Sequence, residues 1–431
     1  MPGPAGMVTL QNLPKIFHQA RKERPVMISF YTAFGPVLVF GLFSRTGALL
    51  AAEASVSPIT DNAEWKEGKP DSFVGNVHPP VESAVLFAPG EHDWKYSHHQ
   101  SITAFGNELF AVWSSSERDE DSAGQRVMYA YRNEKGWIAP RILFQPDIDP
   151  DGRLRVLTAA GFHQYDGLLV AYAGDYSIHR KSTRLLARTS KDGRTWGPVM
   201  DLHVPVCPNH GPQRTASGRL IIAGNTAFPY TDDPAGLTGW KMSGIYPATM
   251  EPFQDNPSTF LDVAERSHFA NLCEGSFYQT DDGALHMLLR STGKTWPPPS
   301  FNLWESQSTD NGATWGAPRE TSFSNTDAKF HFGRLPDGRF YCVGNPLGVG
   351  RIPLVLSLSR DGIRFDQHFV LGDQHYRRRF DGAAKGGEYS YPHSLVFDGR
   401  MYVIVARQKE TIEVFSVVLN DLEVRSKLEK P

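Results

Sequence analysis

Several short tracts of this chain gather side chains that can move protons or grip an anion. They are His98, His99 and Gln100 (YSHHQS), Asn209, His210 and Gln213 (NHGPQ), Glu274 (CEGSF), Lys329 and His331 (AKFHF), and Tyr389, Tyr391 and His393 (EYSYPH). Imidazole titrates near neutral pH, so a histidine held beside a substrate can take or give a proton. A second series is mostly cationic: Arg118, Arg126, Arg290, Lys294, Arg407 and Lys409, interspersed with Asp175, Tyr176, Asn225 and Trp304. A guanidinium forks a carboxylate through two parallel hydrogen bonds. These residue types suit proton transfer on a ligand that carries a carboxylate. Each also has a structural reading: Glu274 can pair with Arg290, His210 can order the turn at Gly211-Pro212, and Tyr391 can pack within its own unit.

The elements that position these tracts are read from turns. A turn of the pattern Ser-x-Asp followed by Gly-x-x-Trp occurs at Ser190–Gly197 (SKDGRTWG) and Ser308–Gly316 (STDNGATWG). A third copy, Ser359–Phe365 (SRDGIRF), replaces Trp by Phe, and Asn133–Trp137 (NEKGW) keeps only the end. In such a turn Asp caps the backbone, Gly accepts positive φ and Trp plugs the space beneath. Its roles are structural. Hairpins surround these turns, each with two apolar runs flanking a glycine turn: Ser101–Trp113, Leu157–Tyr172, Pro212–Ala223, Ser276–Leu289, Phe330–Val343 and Ser394–Val405. This count predicts an all-β chain, a six-bladed β-propeller of four-stranded blades, with Ser83–Phe87 pairing with the last unit. In that topology first-strand starts, second-strand ends and third-strand starts share one rim, and the Asp boxes lie on the other. The chemical tracts all fall on the first rim.

Composition agrees with a turn-rich, many-stranded protein: 39 Gly and 31 Pro, with 40% hydrophobic and 12% aromatic residues. A formal net charge of -3 leaves no basic surface for nucleic acid. Cys207, Cys273 and Cys342 are odd in number and widely spaced, which indicates neither a disulfide framework nor a zinc site. Lys22, Glu23 and Arg24 precede an apolar run, Pro25–Phe43, and then ALLAAEA at 48–54. That order predicts an export signal over 1–54, a polar linker over 55–80 and one propeller domain over 81–425, in a secreted or periplasmic protein without stable membrane association after processing.

The Asp boxes together with CEGSFYQTDDGALHMLLR resemble the sialidase superfamily, whose blades carry a Glu, then a hairpin, then an Arg that grips the substrate carboxylate. Glu274 and Arg290 match that pattern, and Tyr389-Ser390 resembles the region of the superfamily's nucleophilic Tyr. The N-terminal Arg-Ile-Pro element and the acid Asp that follows it are missing. Arg351-Ile352-Pro353 repeats those letters in the fifth unit instead. Where the first Arg would lie, YSHHQSITAFGNELFAVWSS and DEDSAGQRV look similar to rhamnosyl-glucuronidases and L-rhamnose-α-1,4-D-glucuronate lyases. Those families are seven-bladed, against the six units counted here, and they use His and Tyr for proton transfer and Arg for the uronate.

A lyase acting on a 4-linked uronate must neutralise the carboxylate, remove the C5 proton and protonate the leaving oxygen. The expected function is cleavage of a rhamnose-uronate linkage in an acidic polysaccharide by β-elimination, with His99, His210, Tyr391 and Arg290 as the catalytic set. His98, Gln100, Arg126, Glu274, His331, Tyr389, His393 and Arg407 are expected to bind an acidic oligo- or polysaccharide. The alternatives are an exo-glycosidase, either sialidase-like with Tyr389 or Tyr391 and Glu274 or a His-based hydrolase of the rhamnosyl-glucuronidase kind, and a non-catalytic sugar-binding propeller. No cofactor is expected; a structural Ca2+ is compatible with the rim, and the acidic loop Glu117–Asp121 reads as solvated.

Overall fold

Hairpin turns set the register of the chain. At Asp166-Gly167 and Asp398-Gly399 both central residues have positive φ, the backbone that a two-residue turn needs to match strand twist. The computed structural model describes residues 56–61, 78–177, 183–245, 272–292, 301–347 and 350–423, all within the unit Glu53–Pro431. The expected export signal, Lys294 and most of the expected linker lie outside the described residues.

Strand β1 (Val81–Phe87) is followed by β2 (Tyr96–Phe105), β3 (Glu108–Ser116), β4 (Arg126–Asn133), β5 (Gly136–Trp137) and β6 (Arg141–Phe144). Strands β2 to β5 form the first antiparallel sheet, and β6 also pairs with β4. The second sheet holds β7 (Val156–Tyr165), β8 (Leu168–Tyr176), β9 (Thr183–Ser190) and β10 (Met200–Asp201). The third is short, with β11 (Gln213–Arg214), β12 (Leu220–Ile221) and β13 (Tyr230–Thr231). The fourth comprises β14 (Leu272–Gln279), β15 (Leu285–Ser291), β16 (Asn302–Ser308) and β17 (Arg319–Ser324). The fifth comprises β18 (His331–Arg334), β19 (Phe340–Gly344), β20 (Leu354–Ser359) and β21 (Phe365–Gly372). The last has β22 (Ser390–Phe397), β23 (Arg400–Arg407) and β24 (Thr411–Val418), and β1 pairs with β24 along its outer edge. Among the described residues the one helical element is a 3-10 turn at Leu419–Leu422.

Each sheet shares an apolar layer with the next. Phe110 and Tyr129 meet Leu157 and Ala171; Val170 and Tyr172 meet Val206 and Ile222; Ile221 and Phe228 meet Leu285 and Met287. Leu288 and Leu303 meet Phe332 and Phe340, and Val343 and Leu356 meet Met401 and Val403. The last sheet packs on the first through Ile404, Val414, Ile102 and Trp113. Phe110, Phe330, Phe365 and Trp113 are wholly buried, each stabilising the fold by about 2–3 kcal/mol. Within the expected linker, Ile59 is also wholly buried, in the layer with Phe323 and Phe365, and Thr60 bridges Ser322 and Arg364. Burial there ties this segment to two sheets.

The Asp boxes join third to fourth strands, between β9 and β10, β16 and β17, and β20 and β21. Asp192 Oδ1 accepts the backbone N–H groups of Arg194 and Thr195 at 2.8 and 2.7 Å. A Cβ on Gly193 would stand 2.2 Å from the Phe110 ring, and one on Gly312 would stand 2.5 Å from Ile221. The box glycine is thus the point where one sheet presses on the sheet before it.

At the other end, β2, β14 and β22 each carry a bulge, between His98 and Ser101, Cys273 and Ser276, and Ser390 and His393. In each bulge a non-glycine residue takes left-handed φ: His99 at 52°, Glu274 at 53° and Tyr391 at 57°. Side chains cost about 1–2 kcal/mol there, and bulges re-aim them out of the pleat alternation.

Candidate active site

The three bulged side chains converge. His99, Glu274 and Tyr391 line one cavity of about 330 Å³, with Lys329 from just before β18, Arg290 from the end of β15 and Tyr176 from the end of β8. Glu120 and Asp121, from the loop after β3, complete one wall, and Cys207, Asn209, Asn225 and Cys273 line others. A cavity of this size accommodates a single sugar ring.

Tyr391 sits at the centre of the charges. Its hydroxyl accepts a hydrogen bond from Arg290 Nη1 at 2.8 Å and donates to the Glu274 carboxylate. Three cations surround its ring: Lys329 Nζ lies 4.9 Å from the centroid, Arg351 Cζ 5.0 Å and Arg290 Cζ 5.8 Å. Burial, and then the Glu274 charge, push the phenol well above its usual range, against the pull of Arg290 and Arg351. Burial alone would raise Glu274 too. The charges of Arg290 and Lys329, with hydrogen bonds from Tyr391 and Arg290, outweigh it and hold this carboxyl at about 2. Glu274 is therefore an ionised acceptor next to a protonated phenol.

Arg290 also pairs with Glu274 and Asp327, so its guanidinium is committed to protein carboxylates. Lys329 Nζ donates to Asn209 O and to His99 Nδ1, both at 3.1 Å. Across the ring, His99 Nε2 is 2.9 Å from Glu120 Oε1, and Lys409 Nζ is 2.8 Å from Glu120 Oε2. Burial, and secondly Lys329, lower the His99 pKa.

The other expected residues take different places. His98 is fully buried beneath the Tyr391 ring, 4.0 Å between centroids. Gln100 Nε2 donates to Ser390 O at 2.8 Å and to Tyr391 O, so it holds the bulge rather than a ligand. His210, His331 and His393 form a buried cluster with ring centroids 4.2–5.3 Å apart, outside the cavity lining. His210 Nε2 bonds Phe330 O at 3.1 Å, and His331 Nδ1 bonds Ser394 Oγ at 2.7 Å. Tyr389 is a core residue: its hydroxyl bonds the Gln374 backbone and Arg407 stacks on its ring at 4.1 Å. Arg407 is spent on Glu388 O, Gln374 O and Glu413, and Arg126 lies over Trp94, 3.7 Å from its centroid. Asp175 is locked by Arg155 and Arg184. Glu120, Asp121 and Arg351 were not among the expected site residues. The rule that second-strand ends share the functional rim points to the loop after β3, and so to the first two.

The chain matches the family model described as BNR repeat-like domain over residues 107–403. Among curated proteins no sequence match is found. Among solved structures, a sialidase is similar with a TM-score of 0.54 and 18% identity, covering 79% of this chain and 33% of its own. Trypanosoma rangeli sialidase in complex with sialic acid is similar with a TM-score of 0.57 and 13% identity, covering 80% of this chain and 60% of its own. A Dyadobacter fermentans protein of unknown function is similar with a TM-score of 0.56 and 14% identity, covering 79% of this chain and all of its own. The chain thus spans a third to three-fifths of the length of these two sialidases. The likeness in structure is one of fold, propeller-like as in sialidases, and the chain belongs to the BNR repeat-like domain family.

Proposed function

We propose that this protein is a carbohydrate-active enzyme that hydrolyses the glycosidic bond of a carboxylated sugar, with Tyr391 as nucleophile and Glu274 as its base. The observation that carries the proposal is the Tyr391 hydroxyl, held between Arg290 Nη1 and the Glu274 carboxylate. A phenol becomes a nucleophile when an ionised base takes its proton and cations stabilise the phenolate as it forms. Glu274 is the base, and Arg290, Lys329 and Arg351 are the cations. A tyrosine nucleophile is one of the recognised departures from the two-carboxylate pattern of glycosidases. Asp121, whose carboxyl takes the Tyr176 hydroxyl bond, supplies the acid for the leaving oxygen. Lys329 draws the substrate carboxylate, since Arg290 is committed to Glu274 and Asp327, and Arg351 bonds Ser390 Oγ and Asp327 O outside the cavity lining.

Elimination at a rhamnose-glucuronate linkage keeps one supporting observation: His99 lies in the same cavity, its ring centroid 5.3 Å from that of Tyr391. Its two ring nitrogens are engaged by Lys329 and Glu120, and His210 lies outside the cavity lining, so hydrolysis is the better-supported chemistry. We read the six sheets as six blades, with β1 completing the last. Export rests on the 1–54 segment and is tested by the N-terminal residue of the mature protein.

Activated aryl glycosides of sialic acid and glucuronate, and a rhamnose-glucuronate disaccharide, distinguish the readings. Hydrolysis with a fluorinated-sugar adduct on Tyr391, and loss of both in Tyr391→Phe, supports the proposal. Formation of an unsaturated uronate with Tyr391→Phe still active refutes it.

A further inference from the structure

Beside the nucleophile, His98, His99 and Glu120 place two imidazole nitrogens and a carboxylate oxygen within 4.8 Å of one another. Glu120 Oε1 is 3.2 Å from His98 Nδ1 and 2.9 Å from His99 Nε2. Two donors bound to one ion at about 2.1 Å and roughly a right angle stand about 3.0 Å apart. The spacing therefore fits adjacent corners of a single coordination sphere. His98 and His99 are neighbours in sequence, and only the bulge in β2 lets both rings reach the same oxygen.

From this geometry we infer that His98 Nδ1, His99 Nε2 and Glu120 Oε1 bind a divalent first-row transition ion, with its remaining positions turned to the cavity that His99 and Glu120 line. Two nitrogens and one oxygen select such an ion over Ca2+ or Mg2+, which take oxygen ligands. The surrounding groups suit a ligating set. Lys409 bonds Glu120 Oε2 at 2.8 Å and leaves Oε1 for the ion, as carboxylate ligands are commonly held from outside. The Tyr96 hydroxyl, 3.1 Å from His98 Nδ1, shares that nitrogen in the ion-free protein and turns to Glu120, which it also bonds, when the ion takes it.

Lys329 Nζ, 3.1 Å from His99 Nδ1, holds the ring with Nε2 turned to Glu120, and the proton that ligation displaces goes to solvent.

The inference goes beyond the hydrolytic reading and is tested without a glycoside, so either can fail alone. Protein stripped with a chelator is titrated with Co2+ and Zn2+ by calorimetry and visible absorption between pH 6.5 and 8. The expected result is one ion per chain, weakened at least tenfold in Glu120→Gln and in His99→Gln. Circular dichroism shows whether each variant is folded, and His99→Asn replaces a variant that is not. Lack of saturable uptake by the folded parent overturns the inference. So does uptake unchanged in both variants, which assigns the ion to exposed histidines such as His92, His203 and His375.

Discussion

Mild acid will destabilise this fold through the buried cluster of His210, His331 and His393. Burial lowers the pKa of all three, His331 to about 3, and the charges of Lys329 and of the neighbouring rings lower His210 and His393 further. In the unfolded chain the same groups titrate near 6.5. Each therefore gains a proton only on unfolding. Stability is complete above about pH 6.5 and falls as pH drops towards the folded value, by about 1.4 kcal/mol per pH unit for each histidine. Three histidines give about 4 kcal/mol between pH 6 and pH 5, against a total of roughly 5–15 kcal/mol for a folded domain. His98 and His99 are lowered by burial as well and steepen the slope. The assay is urea unfolding at pH 7.5, 6.0 and 5.0 on the parent and on His331→Asn, which keeps an acceptor for Ser394 without titrating. The variant should lose about one proton's worth of slope, whatever its stability at pH 7.5. A parent slope below one proton in this window, or equal slopes in parent and variant, would refute the reasoning.

Arg290→Met should cost about 3–5 kcal/mol at pH 7, because it leaves Glu274 buried and without its main counter-charge; a Glu274→Gln, Arg290→Met double variant should recover part of this in the same denaturation assay. Tyr389→Phe should lower stability by about 1–3 kcal/mol through the unsatisfied Gln374 backbone and leave kcat unchanged, whereas Tyr391→Phe should lower kcat by at least about a thousandfold. Asp121→Asn should slow glycosides with poor leaving groups by about a hundredfold or more while sparing activated aryl glycosides, the signature of a lost general acid. Asp310→Ala, which removes bonds to Thr314 and Ser308, should lower stability by about 1–2 kcal/mol and leave kcat/KM unaltered.

Much of the strand order is legible from turn residues. Asp-Gly pairs mark six of the first-to-second or third-to-fourth strand turns, and the Asp boxes mark the far rim. The rim opposite them does hold the cavity. Which side chains enter it is not legible, because a regular strand implies strict alternation of faces. Alternation puts Tyr389 and Tyr391 on one face, yet the bulge between Ser390 and His393 sends Tyr391 into the cavity and leaves Tyr389 in the core. It equally predicts that His98 and His99 point apart, whereas both reach Glu120. A bulge depends on inter-strand hydrogen bonding and on neighbouring sheets, so a single strand's sequence carries little sign of it. Arg351 was set aside because its tripeptide stands in the fifth unit, and space rather than chain order brings it to Tyr391.

The bulges also set activity against stability at three known positions. His99, Glu274 and Tyr391 each keep a side chain in backbone that glycine would adopt without strain. Selection for thermal robustness alone would therefore tend to erase the cavity's chemistry one residue at a time while the sheets persisted. A relative with glycine at these positions and intact Asp boxes would be a propeller that had kept its architecture and given up its reaction.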